Sequence, residues 1–144
     1  MNELKALTRQ HMRTLWQTAQ AGAALQGEDA LLVKIMQQHH EYAHLWARLD
    51  ELPEAHIEQD GVNPILHVHF HHIVENQIAQ KNPPAVAQVI KTLLGKGLSR
   101  HEAIHIVAGV AAEETFAIVQ QSRPFDEAAY VRKLRRLALK TERK

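Results

Sequence analysis

The stretch that decides the fold is Ser99–Gln121, SRHEAIHIVAGVAAEETFAIVQQ. Ser99 and Glu102 stand at capping-box spacing, where each side chain serves the other's backbone N–H at a helix start. From Ala103 to Ala112 the run is apolar on nearly every side, the pattern of a central, buried helix. The same period of about 3.6 residues recurs almost end to end, and no apolar–polar alternation bounded by turn residues appears. The expectation is a single all-α domain over residues 1–144, a compact bundle of six or seven helices with no sheet.

Upstream, Asn63 and Pro64 read as N-cap and first position of a helix running to about Gln80. Asn82-Pro83-Pro84 stops it and opens another, AVAQVIKTLL, which ends at Gly95-Lys96-Gly97. The first helix covers about residues 3–20, with Leu4, Leu7, His11 and Leu15 in one stripe. Gly27 breaks the chain, and Asp29 caps a second helix, DALLVKIMQQ. A short third helix spans EYAHLWARL, residues 41–49. Residues 51–62, ELPEAHIEQDGV, form the one long irregular connection and are acidic. Downstream, Pro124 and Asp126 open the last helix.

Composition bounds the function classes. The 45% hydrophobic content over 144 residues suits one domain with a buried core and excludes wholesale disorder. No run approaches the roughly 18 apolar residues of a membrane span, and the polar start MNELKALTRQ lacks an apolar signal core. A cytoplasmic protein is expected. With no cysteine, disulfides and thiolate metal sites are excluded. The net charge of +1 makes no global case for nucleic acid. Residues 130–144 hold seven basic side chains and one acid, Glu142. A solvated helix face with Val131, Leu134, Leu137 and Leu139 inward explains that asymmetry, and no aromatic interleaves with the charges to favour nucleic acid. A homodimer stays open.

Eleven histidines are the anomaly. On the Pro64 helix, Leu66, Phe70, Val74 and Ile78 fall on one side, with His67 and His71 on or beside that stripe and His69, His72 and Asn76 opposite, toward solvent. Glu75 extends the ridge of His67 and His71 by another turn. On the Ser99 helix, His101 and His105 lie on the stripe of Ile104, Ala108, Ala112 and Val119. Glu113 is two turns beyond His105, and Gly109 between them removes bulk. Residues four apart have Cβ atoms about 6 Å from each other, so each His-x3-His pair can converge on one ion. The candidate metal ligands are His67, His71, His101 and His105, with Glu75 and Glu113 as carboxylate ligands or bridges, in a buried site between two helices. Nitrogen and oxygen donors without sulfur suit a divalent zinc, iron, manganese or nickel ion. His40 and His44 form a third such pair that reads as a surface pair, with joining the site as the alternative; His11 lies on its helix's apolar stripe, with an outer-neighbour role at the site as the lesser alternative.

Residues 101–105, His-Glu-Ala-Ile-His, also satisfy H-E-x-x-H, the zinc-peptidase pattern in which the glutamate is a general base. Here Glu102 is equally explained by the capping box. The alternatives are therefore a zinc hydrolase using Glu102, and a non-enzymatic interaction module with structural histidines and a basic last helix.

The residues Asn63-Pro64-Ile65-Leu66-His67, His71, Val74-Glu75-Asn76-Gln77-Ile78 and Asn82-Pro83-Pro84 resemble an uncharacterised family catalogued as a domain of unknown function, number 1841. The run Gly97-Leu98-Ser99-Arg100-His101-Glu102-Ala103-Ile104-His105, with Glu113 and Pro124-Phe125-Asp126, resembles its second signature. The resemblance covers about residues 60–135, with a looser match at His40, Glu41 and Tyr42. It implies a small helical bacterial protein, sometimes found beside other domains, and brings no activity, substrate or cofactor.

Overall fold

A helix starts where its first N–H groups find acceptors and stops where proline or a left-handed residue breaks the ladder. The computed structural model describes residues 3–58 and 63–143. Among them run eight α-helices: α1 (Glu3–Gln20), α2 (Gly27–Gln38), α3 (Ala43–Trp46), α4 (Glu54–Ile57), α5 (Pro64–Gln80), α6 (Pro84–Gly95), α7 (Arg100–Gln121) and α8 (Glu127–Lys140). No strand occurs among the described residues. The all-helical expectation holds, and the count exceeds the expected six or seven because α4 forms inside the connection read as irregular. Residues 59–62 of that connection lie outside the described residues.

Local signals explain most boundaries. Asn63 Oδ1 accepts from the backbone N–H of Ile65 at 2.9 Å and of Leu66 at 3.3 Å, which caps α5. Asp126 caps α8 through the N–H of Ala129 at 3.1 Å. Ser122, at φ 50°, takes the left-handed conformation that ends α7. Two boundaries differ from expectation. Helix α2 starts at Gly27, with Asp29 in its first turn rather than at its cap. The expected helix over 41–49 is instead a 3-10 turn at His40–Tyr42 followed by the four-residue α3.

The chain divides into two compact units, residues 1–72 and 73–144, with the boundary inside α5. In residues 1–72, α1, α2 and α3 pack around Met12, Leu15, Leu32, Ile35, Met36, Leu45 and Trp46, all buried. Each such side chain contributes about 1.5–3 kcal/mol through loss of apolar surface to water. The buried stripe of α1 is Met12 and Leu15, supported by Trp16 and Ala19. Leu7 is 58% exposed, and exposed His11 lies 3.4 Å from Asp29, so the expected stripe through Leu7 and His11 is turned toward water. Along α5 the buried positions are Ile65, Val68, His71 and Val74, while Leu66 is exposed. The real stripe is rotated by about one residue from the expected one.

In residues 73–144, α6, α7 and α8 pack against one another. Helix α6 buries Val86, Val89, Ile90 and Leu93, and α7 buries Ala103, Ile104, Val107, Ala108, Val110 and Ala111. The alanines keep α7 thin enough for close neighbours. Helix α7 is not buried all round, however: His101, His105, Gly109 and Glu113 form an exposed edge at four-residue intervals. Val119 is 71% exposed, so the last turns project into solvent. On α8 the inward ridge is Tyr130, Leu134 and Ala138. Leu139, expected inward, is 84% exposed.

Polar contacts complete this unit. Glu114 is buried on α7, where Lys133 Nζ reaches it at 2.8 Å and Arg123 Nη2 at 2.9 Å. The Lys133 hydrogen bond holds the Glu114 carboxyl below its ordinary value, aided by Arg123 and opposed by burial. Tyr130 Oη donates to Gln77 at 3.0 Å, and burial pushes its hydroxyl up to about 12. Lys96 Nζ donates to the carbonyls of Ala138 and of Thr141, the latter at 2.8 Å, which satisfies the last turn of α8. Among the described residues no helix is long and apolar enough to cross a membrane.

Two predictions follow from this packing. A Cβ added at Gly109 meets nothing within 4 Å, and Gly inside a helix costs about 0.5–1 kcal/mol relative to Ala. Gly109→Ala is therefore expected to raise the unfolding free energy by about that amount, read by urea titration; a lower value would contradict the open geometry. A carboxyl whose folded pKa is depressed contributes stability above its unfolded pKa and loses it as pH falls through the folded one. Wild type should thus lose stability on acidification below the ordinary carboxyl value of 4.5. Glu114→Gln should be less stable at neutral pH and show a shallower acid slope; identical slopes would contradict the ion triad.

Candidate functional site

The buried face of α2 runs Leu32, Ile35, Met36 and continues past the helix end to His39. That imidazole is fully enclosed, and its Nδ1 donates to the carbonyl of Ile35 at 2.8 Å. A carbonyl can only accept, so Nδ1 carries the proton and, in the neutral ring, the lone pair resides on Nε2. Trp46 Nε1 donates to the carbonyl of Met36 at 3.2 Å, one residue further along the same helix end.

Helix α5 brings His67 and His71, one turn apart, against this ring. The centroid of His39 is 4.8 Å from that of His67 and 4.6 Å from that of His71, with both contacts edge-on. His67 and His71 are themselves 4.6 Å apart. A ring nitrogen of His71 lies within 4.8 Å of one on His39 and of one on His67. Tyr42 stacks parallel to His39 at 6.3 Å and meets Trp46 at 6.0 Å, so aromatic faces wall one side. His71 is buried and His67 half-buried. Three imidazoles thus meet within residues 1–72, with no carboxylate among them.

His69 and His72 do not point to open solvent as expected. His72 Nε2 lies 2.5 Å from Glu28 Oε2. His69 is half-buried, and its pKa is lowered, first by burial and then by its neighbours His72 and His11. The His72–Glu28 contact ties α5 to α2.

The other candidates have different surroundings. Both oxygens of Glu75 accept from Arg100, at 2.6 and 2.9 Å, a bidentate pair joining α5 to the start of α7. That pairing holds the Arg100 guanidinium above its ordinary pKa. Glu75 therefore holds Arg100 in this arrangement. His101 and His105 are exposed on α7, not on its buried stripe, because that stripe is Ile104, Val107, Ala108 and Ala111. Glu113 is exposed on the same edge, and no side chain comes near Gly109. His40 and His44 are exposed, in keeping with a surface pair. His39 is the residue that sequence reasoning missed. The signal was present: positions 32, 35, 36 and 39 continue one helical face.

Glu102 fulfils the capping box. Its backbone N–H donates to Ser99 Oγ at 3.1 Å, and its Oε1 accepts from the Ser99 N–H at 3.1 Å.

A family model described as "Domain of unknown function (DUF1841)" matches residues 5–136. The chain belongs to this DUF1841 family. The match extends well upstream of the stretch from about residue 60 that carries the quoted motifs, and takes in α1, α2 and His39. No curated protein and no solved structure matches the chain. The family description carries no activity, so function is argued from the residues themselves.

The capping assignment is testable. Glu102→Ala removes the reciprocal half of the box and is expected to lower stability by about 0.5–1 kcal/mol. Glu102→Gln, which keeps an acceptor oxygen, should recover most of that loss in a thermal melt. Equal stability of wild type and Glu102→Ala would contradict the role.

Proposed function

We propose that the protein binds a divalent transition-metal ion through ring nitrogens of His39, His67 and His71. The observation that supports this most is the convergence of three imidazoles, one of them with its second nitrogen donated to a backbone carbonyl. Metal-binding histidines characteristically place their other N–H on such an acceptor, which fixes the tautomer and aims the lone pair. The spacing is apt as well. Rings bound to one tetrahedral ion at about 2.1 Å have centroids roughly 5 Å apart, against 4.6–4.8 Å here.

Of zinc, iron, manganese and nickel, an all-imidazole set favours zinc, ferrous iron or nickel, because manganese prefers oxygen donors. His39, His67 and His71 would hold the ion, which would supply Lewis-acid activation of water, so a catalytic use is part of the proposal. His101 and His105, candidates through their own His-x3-His spacing, form a second pair that the variants below separate from the first three histidines. Glu75 is read as a positioning group for Arg100 rather than a ligand, and exposed Glu113 stays outside the three-imidazole set.

Metal content of protein purified without a histidine tag, measured by mass spectrometry, tests the reading. The expected result is about one zinc, iron or nickel ion per chain, lost in His39→Ala and in the double variant His67→Ala, His71→Ala. A folded protein that takes up no such ion on reconstitution would overturn it. A parallel double variant, His101→Ala with His105→Ala, separates the ligand sets: metal loss adds that pair, and retention confines the site to the first three histidines.

A further inference from the structure

The groove between α7 and α8 carries chemistry unlike that of the histidine cluster. It is an open cleft of about 410 Å³, with Ile106, Val110 and Leu137 as its apolar lining. Arg136 and Lys140, one turn apart on α8, stand on one wall and Glu113 on the other. Lys133 also lines it but is committed to Glu114 at 2.8 Å. Among the described residues Arg136, Lys140 and Glu113 form no ion pair. Two uncommitted cations therefore face one carboxylate across an apolar floor. A volume of this size lies within the roughly 300–1,000 Å³ range of small-molecule sites.

Gly109 is the second observation. It lies in the middle of α7 and lines the groove, and no atom comes within 4 Å of where its Cβ would stand. Glycine lowers helix stability, yet packing within the chain gives no reason for it. Its absent side chain deepens the groove beside Val110.

We propose that this groove binds a small organic anion with an apolar body. The carboxylate or phosphate head is held by Arg136 and Lys140, and the body lies over Gly109 and Val110. A guanidinium and an ammonium one helical turn apart suit a head with several acceptor oxygens. The proposal is independent of the metal reading, since none of its residues belongs to the histidine cluster.

Calorimetric titration with decanoate, decyl phosphate and the neutral decyl glucoside tests it, with amide chemical shifts reporting the location. The expected result is saturable one-to-one binding of at least one of the two anions, with shifts centred on Gly109 and Val110. Whichever binds more tightly identifies the head group. Arg136→Glu with Lys140→Glu should weaken binding about tenfold or more, as reversed charges within a few ångströms require. Gly109→Leu, at a position with room and a gain in helix propensity, should block binding while leaving the circular-dichroism spectrum unchanged. Equal binding of the glucoside, undiminished binding by a folded charge-reversal or Gly109→Leu variant, or no saturable binding of either anion would overturn the proposal.

Discussion

Helix α2 ends inside an apolar core, and the carbonyls of a buried helix end must be satisfied there. Each one left unpaired costs about 1–3 kcal/mol. In residues 1–72 the His39 ring takes the carbonyl of Ile35, while that of Met36 accepts from both the His39 backbone N–H, at 3.1 Å, and the Trp46 indole. Much else in this half depends on the two side-chain bonds. They require a histidine in the interior, fix its tautomer, and hold Trp46 where it closes the core beside Leu45 and Leu49. Once His39 is locked, His67 and His71 are the groups that pack on it, and a polar cluster arises where the pattern of apolar residues would suggest only packing.

Residues 73–144 meet a different constraint. Helix α7 uses small residues to pack closely, so it has few large side chains with which to grip α8. Charge and hydrogen bonds add to the apolar ridge of Tyr130, Leu134 and Ala138: Glu114 takes Lys133 from α8 and Arg123 from the preceding connection, while Lys96 takes the carbonyls at the far end of α8. The basic residues of α8 thereby divide into two kinds. Lys133 holds the fold together, and Arg136 and Lys140 remain available at the groove.

The sequence reveals the helices better than their faces. Asn63-Pro64, Asn82-Pro83-Pro84 and the Ser99–Glu102 box mark boundaries because caps and breakers act on the local backbone, which needs no knowledge of the partner. Which face turns inward is a tertiary matter. On α1 and α5 the alternation of apolar residues admits stripes one residue apart, and contact with α2 selects the one carrying Met12 and Leu15, or Val68 and His71. The same ambiguity placed His101 and His105 on a buried stripe, when the alanines beside them are what packing uses. His67 and His71 were legible from their spacing. His39 was not singled out because it lies past the last helical residue, where periodicity is no longer counted. Glu114 was overlooked for a related reason: adjacent glutamates look alike in sequence, and only the position of Lys133 decides which one is enclosed.

The connections between α5, α6, α7 and α8 are only residues 81–83, 96–99 and 122–126. Loop-closure entropy rises with the length of chain that must be drawn together, so such short links cost little to close. Contacts between sequence neighbours also place helical proteins among the fast-folding topologies. The second half of the chain can therefore recover its packing rapidly after a thermal opening, and α8 spends little time detached with Tyr130 and Leu134 bare to water. Brevity of the turns is thus a safeguard against association of opened chains, in addition to whatever the folded surface does.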